Sequence, residues 1–267
     1  MSRILALIGN RPDVCRALAQ QHATAHLRPG EEGGAVGWGV GFYQGGEALL
    51  RRRPVDDRGE LEILALSDAL SGLILAQVRT PSIGALRTEN TPPYRYKNWL
   101  FAMRGTVPGF DEVRGRILES MPDFLRCSVR GETDGEAMFY SFLSCLAESG
   151  GLARDSVSVG DLGAALRQCA LAVDRLTSRE VELGMFAANG ECLAALDRSG
   201  TLAHLWMDAL PEVPMPSEEP SARASAEPFR CTAVTSGGKD VPDGWSSVAP
   251  DSMLLCTRVE PPVIEPL

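Results

Sequence analysis

The chain is poor in histidine, with three among 267 residues, and poor in aromatic side chains, at 6%. Imidazole is the usual general base near neutral pH, so a histidine-centred site has few places to form. His22 and His26 stand four apart, which can put two imidazoles on one helix face, but no acid lies between them as in H-E-x-x-H and no third ligand stands nearby. The pair reads as a helix end followed by a loop, and no metal is expected. Cationic charge is also short: 26 Lys and Arg against 35 Asp and Glu leave a net charge of −9. That balance argues against a nucleic-acid binder. The exception is Arg51-Arg52-Arg53, which is followed by Asp56 and Asp57 and reads as a solvated strand end. No apolar run reaches the roughly 18 residues of a membrane span, and no basic segment precedes a long apolar stretch, so neither a membrane nor a signal peptide is expected. Seven cysteines, an odd number without a C-x-x-C pair, fit reduced and mostly buried thiols in a cytoplasmic protein. No P-loop or dinucleotide fingerprint is visible, and no cofactor is expected.

What is present is a chain long enough for a large core, with 44% hydrophobic residues. Arg3–Ile8 reads as a buried strand and Asp13–Gln21 as a helix with Pro12 near its start. A loop at Gly30–Gly34 leads into Gly37-Trp38-Gly39-Val40-Gly41-Phe42-Tyr43, a strand whose glycines let other backbone approach closely. Gly45-Gly46 turns it into Ala48–Arg53 as a hairpin. An amphipathic helix is expected at Glu60–Leu70, and strands at Leu73–Arg79 and Trp99–Met103. Thr133–Leu146 reads as a helix with Thr133 as N-cap and Glu136 completing a capping box, and Leu162–Leu176 as a second long helix. Strands are expected at Met185–Ala188, Cys192–Asp197 and Leu202–Leu205, the last two paired around Arg198-Ser199-Gly200, and near Cys231–Thr235 and Met253–Val259. Pro211–Pro228, rich in Pro, Ser, Ala and Glu, reads as a long mobile loop. Strands in both halves with two long helices between them point to stacked sheets covered by helices in one α+β domain spanning 1–267.

Ser2 carries its own significance. If Met1 is removed, Ser2 combines a nucleophilic oxygen with a free α-amine, whose reference pKa of about 7.7–8.0 suits it as base for its own side chain.

Five segments in order carry a family resemblance: the short strand beginning at residue 2; Gly37–Tyr43; Ala76-Gln77-Val78-Arg79 followed by Gly84; Asn90-Thr91-Pro92-Pro93-Tyr94 before Trp99-Leu100-Phe101-Ala102-Met103-Arg104-Gly105; and Gly131-Glu132-Thr133-Asp134-Gly135-Glu136. The chain resembles the class II glutamine amidotransferases, which are N-terminal nucleophile hydrolases, and among them the short single-domain members. The resemblance implies a four-layer αββα sandwich with the site at the open end of the stacked sheets. It places Ser2 at the nucleophile position and implies that Arg79 holds the α-carboxylate of glutamine and Asp134 its α-ammonium. A planar, always-charged fork suits the first of these roles. It further implies that the Gly105 amide forms half of the oxyanion hole and that Ser82 contacts substrate. No synthetase domain is expected after the sandwich, so amidotransfer would need a separate acceptor subunit.

The chain departs from the family pattern at several places. Ser2 stands where the family has cysteine, and Arg104 where an asparagine supplies the second oxyanion donor. Gln77, Pro92 and Met103 stand where histidines are usual, and Val36 replaces a polar residue. Three readings follow: a catalytically impaired amidotransferase-like protein that binds glutamine, a γ-glutamyl compound or a partner; a Ser2-dependent amidase or γ-glutamyl hydrolase; and an interaction module whose 211–228 segment contacts another protein.

Overall fold

In the computed structural model, residues 2–27, 37–54, 70–80, 83–154, 156–178, 180–211, 227–238 and 240–267 are described. All but the last residue of the helix expected at 60–70, the loop at 30–34, Val36, Ser82 and nearly all of the loop expected at 211–228 lie outside them.

In chain order the elements are β1 (Arg3–Gly9), α1 (Pro12–His26), β2 (Gly37–Gln44), β3 (Glu47–Pro54), β4 (Leu73–Arg79), β5 (Tyr94–Tyr96), β6 (Trp99–Arg104), α2 (Phe110–Glu119), α3 (Asp123–Arg126), α4 (Asp134–Glu148), α5 (Val159–Thr177), β7 (Gly184–Ala188), β8 (Cys192–Asp197), β9 (Ala203–Met207), β10 (Cys231–Ser236), β11 (Ser246–Ser247), β12 (Ser252–Thr257) and β13 (Val263–Pro266). They form two antiparallel sheets, ordered β11-β9-β10-β1-β4-β2-β3 and β13-β12-β8-β7-β6-β5. Helix α1 covers the outer face of the first sheet, and α4 and α5 that of the second, with α2 packed against both of them. This is the four-layer αββα order.

The layering explains the strand sequences. In β1, Ile4, Ala6 and Ile8 point into the layer between the sheets, while Leu5 and Leu7 pack under α1. A strand buried on both faces reads as a continuous apolar run. In β2, Trp38, Val40 and Phe42 lie on the same outer face of the sheet, in one hydrophobic cluster with the α1 side chains. The glycines alternate with them and face the other way, where Gly39 meets the Pro92-Pro93 backbone. A Cβ on Gly39 would stand 2.3 Å from the Pro92 carbonyl oxygen, so only glycine fits.

Two expectations are corrected. β8 and β9 do not pair: β8 lies between β7 and β12 in one sheet, and β9 between β10 and β11 in the other. The turn at Arg198-Ser199-Gly200 is a crossing between sheets. The Asp197 carboxylate fastens it by accepting from the amides of Ser199 at 2.8 Å and Thr201 at 3.3 Å. Second, His22 and His26 lie within α1, which runs on to His26 because Ala23 and Leu27 continue its buried face. Their rings stack at 5.7 Å, and both meet Trp245 edge-on. Burial, with the neighbouring His26 second, lowers the His22 pKa to about 4.

The hairpin at Gly45-Gly46 is present, and Leu73–Arg79 and Cys192–Asp197 are strands over those ranges. All seven cysteines are free thiols, and only Cys127 is exposed.

Candidate functional site

The ends of β1, β4, β6, β8 and β10 converge at one end of the sandwich. Ser2 leads into β1, whose pairing Arg3↔Val78 sets Ser2 opposite the end of β4. Its Oγ accepts a hydrogen bond from the Thr80 amide at 3.1 Å. Gly237, just past β10, lies against the Ser2 carbonyl. The nucleophile candidate is thus held between two neighbouring strands, with an N–H directed at its oxygen.

Arg79, the last residue of β4, is buried. Its guanidinium donates to the carbonyls of Ile83 and, at 3.3 Å, Gly84, so one end of the fork braces the following loop. Asp134 opens α4, one residue after the N-cap Thr133, whose side chain accepts from the Glu136 amide. The Asp134 carboxylate accepts from the Val107 and Gly135 amides, each at 2.9 Å. Burial raises its pKa, and these hydrogen bonds and the nearby positive charge of Arg79 only partly counter that. Arg79 and Asp134 are therefore electrostatic neighbours at the mouth of the sandwich, one cationic and one anionic.

The capping box is displaced from its usual form. Glu136 reaches past the N-cap to accept from the amides of Arg130 at 3.1 Å and Gly131 at 2.5 Å. Tyr94 joins the same corner through a 2.7 Å hydrogen bond between its hydroxyl and Thr133 Oγ1. Asn90, to which the sequence reading assigned no role, ties the preceding loop to this corner. It is buried, accepts from the Glu132 amide at 2.9 Å and donates to the Ala85 carbonyl at 3.0 Å.

Arg104 and Gly105 end β6. Gly105 has φ +91°, and a Cβ there would lie 2.4 Å from the Glu182 carbonyl oxygen, so both conformation and space demand glycine. The buried Arg104 guanidinium pairs with Asp197 at 3.4 Å and donates to Ser199 Oγ. Asp197 also accepts from the hydroxyls of Ser199 and Ser236, each at 2.9 Å, and of Thr201 at 3.3 Å. Ser236 belongs to β10, so this network spans the two sheets next to Gly237 and Ser2.

Gln77 performs a second crossing. Its amide donates to the Met103 carbonyl at 2.6 Å and accepts from the Met103 amide at 3.3 Å. β5 begins only at Tyr94, opposite Phe101, and leaves this side of Met103 without a strand partner. Gln77 supplies it from the facing sheet.

The structure thus brings Ser2, Arg79 and Asp134 to one region and places Arg104 and Gly105 on the strand that Gln77 ties to it. Ser82 lies outside the described residues. Among the described residues, no group of three or more His, Cys, Asp or Glu side chains could hold a metal, and no helix is long and apolar enough to cross a membrane.

The family model for class II glutamine amidotransferases matches residues 1–208. The chain belongs to the class II glutamine amidotransferases. Two curated proteins are similar to this amidotransferase-family chain over shorter stretches. The Saccharomyces cerevisiae protein named probable glutamine amidotransferase DUG3 is 28% identical over 122 residues, 43% of this chain and 34% of that one. The Mycobacterium tuberculosis γ-glutamyl-hercynylcysteine sulfoxide hydrolase is 35% identical over 91 residues, 33% of this chain and 39% of that one. The matches therefore span little more than a third of each relative. A solved Silicibacter pomeroyi protein described as a glutamine aminotransferase class-II domain protein superposes with a TM-score of 0.62 at 19% identity, covering 99% of this chain and 98% of that one. The shared architecture is that of the N-terminal nucleophile hydrolases.

Proposed function

We propose that this amidotransferase-family chain, as one domain over 1–267, binds glutamine or a γ-glutamyl compound between Arg79 and Asp134 and is impaired as a glutaminase, serving as a ligand- or partner-binding protein. The observation that carries the reading is the position of the Arg104 side chain. Where the family resemblance implies an asparagine oxyanion donor, this guanidinium is buried against Asp197 and Ser199. Loss of one oxyanion donor costs about 10²–10³ in turnover. The Gly105 amide is then the remaining donor. Ser2 adds to the deficit, because a hydroxyl does not ionise near neutral pH as a thiol does. The binding half of the site is supported by the opposite charges of Arg79 and Asp134, which suit an α-carboxylate and an α-ammonium, with Ser82 as a further polar contact. The amidotransferase and γ-glutamyl hydrolase names of the relatives favour the same ligand class. Seven free cysteines support a cytoplasmic location.

The test combines a melting curve with a turnover assay. Millimolar glutamine or a γ-glutamyl dipeptide raises the melting temperature, and Arg79→Ala removes the shift. Ammonia and glutamate release stays near background. An unchanged melting curve refutes the binding assignment, and rapid release abolished by Ser2→Ala refutes impairment.

A second reading is favoured by the 3.1 Å hydrogen bond from the Thr80 amide to Ser2 Oγ, since a donor at that oxygen stabilises developing negative charge. In it the α-amine of Ser2 takes the Oγ proton and Oγ attacks the γ-amide carbon. Ammonia or an amine leaves, and water releases glutamate. Ser2→Cys combined with Arg104→Asn raises glutaminase activity if the rest of the pocket is competent.

A further inference from the structure

A cavity of about 1450 Å³ opens on the flank of the sandwich between the edge strands β3 and β5. It is not the mouth where Ser2 stands: neither Ser2 nor Arg79 nor Asp134 lines it. Its charge runs against that of the whole chain. Among the described residues, Arg51, Arg52, Arg53, Arg95, Lys97 and Arg130 line it, against two carboxylates, Glu89 and Glu136. Glu136 already accepts from two backbone amides. A protein of net charge −9 thus concentrates cations around one opening. Concentrating one sign of charge within low-dielectric walls focuses the field on a ligand of the opposite sign.

Two of the lining arginines are held in place. Arg52 Nη1 donates to the Thr91 carbonyl at 3.3 Å, and Arg95 Nη1 donates to the Ala48 carbonyl at 2.7 Å. The first bond runs from β3 to the segment before β5 and the second from β5 to β3, so both guanidinium groups are braced between the two edge strands. Each spends one nitrogen and keeps further N–H donors. Among the described residues, neither Arg52 nor Arg95 lies within ion-pair distance of a carboxylate. Burial also lowers the Arg52 pKa, the mark of a cation partly removed from water. Preorganised, partly desolvated guanidinium groups bind oxyanions through paired hydrogen bonds.

We infer that this flank cavity is a binding site for a small, multiply charged oxyanion, a phosphorylated compound or a polycarboxylate, held by the braced Arg52 and Arg95 together with Lys97 and Arg130 of the same lining. The inference goes beyond the glutamine pocket and does not rest on it. The cavity exceeds the roughly 300–1,000 Å³ of ordinary ligand sites, so the oxyanion can carry a larger group.

The test is titration of the full-length protein with inorganic pyrophosphate and, separately, with citrate, by calorimetry and melting curves at low salt. The expected result is saturable binding of one or both, weakened several-fold between about 50 and 200 mM NaCl as screening grows. Tighter pyrophosphate binding assigns a phosphorylated ligand, and tighter citrate binding a polycarboxylate. Lys97→Gln with Arg130→Gln leaves the two cross-sheet bonds intact and should weaken binding at least tenfold, and Arg52→Gln should weaken it further. Arg79→Ala should leave it unchanged. Absence of saturable binding by either anion overturns the inference. So does affinity unaffected by the Lys97/Arg130 double variant, or affinity lost in Arg79→Ala, which would place the anion in the glutamine pocket instead.

Discussion

At the scale of single residues, Asp197 is the most heavily committed side chain among the described residues. It accepts from three hydroxyls, two amides and the Arg104 guanidinium, and is almost wholly buried. A buried carboxylate is tolerated only when its lone pairs are filled. Removing it leaves the Arg104 charge and the Ser236 hydroxyl without this acceptor, so Asp197→Ala is expected to cost about 3–5 kcal/mol in urea unfolding. Arg104→Asn should cost less than Asp197→Ala, because Asp197 keeps its hydroxyl and amide donors. An equal loss would show that the ion pair itself, not the acceptor, holds the crossing. Gly39 is as constrained by space as Asp197 is by charge. Gly39→Ala sets a methyl against the Pro92 carbonyl and should destabilise by about 1–3 kcal/mol or more, read from the same unfolding curves.

At the scale of elements, the two sheets are joined by polar side chains as well as by the apolar layer between them. Gln77 on β4 completes the backbone of β6, and Ser236 on β10 meets Asp197 on β8. Gln77→Leu keeps the volume but orphans the Met103 amide and carbonyl, each costing about 1–3 kcal/mol. Amide exchange at Met103 should accelerate more than at Phe186 in the neighbouring strand, and equal acceleration at both would argue against a local clip. This role is invisible in the one-dimensional pattern, where Gln77 stands out only as a missing histidine. Other elements escape sequence reading for simpler reasons. β5, β11 and β13 are two to four residues long, shorter than a periodicity needs. No helix is expected from the sequence at α2, although its signal is there: Phe110, Val113 and Ile117 stand at helical spacing and are buried. The arginines of β3 were read as a solvated strand end, yet Arg52 is half-buried because its side chain reaches the loop across the sheet gap.

At the scale of the whole molecule, α1 bears on stability against pH. His22 is neutral in the folded protein, with its pKa lowered to about 4 by burial and by His26, whose own pKa is lowered by burial and then by Arg3. Unfolded, the same imidazole titrates near 6.5. Between those values the unfolded chain binds the extra proton, so stability falls as the pH drops from about 6.5 towards 4. Asp134 and Glu136, whose pKa values burial raises, act in the opposite sense. The contribution of His22 is isolated by comparing His22→Gln with the parent. The melting temperature of the variant should gain on that of the parent as the pH falls from 7 to 5, and parallel curves would remove His22 from the acid response. The sequence by itself determined what depends on neighbours along the chain: β4 and β8 over their ranges, the Gly45-Gly46 hairpin, the Thr133 cap, and the ordered motifs that mark the family. Periodicity, turn chemistry and capping act within a few residues, and these signals survive in one dimension. Only the tertiary structure decided that β8 and β9 part into different sheets, that Arg104 turns to Asp197, 93 positions away, and that scattered arginines gather around one cavity. Those outcomes are set by which buried charge finds which partner once the sheets stack.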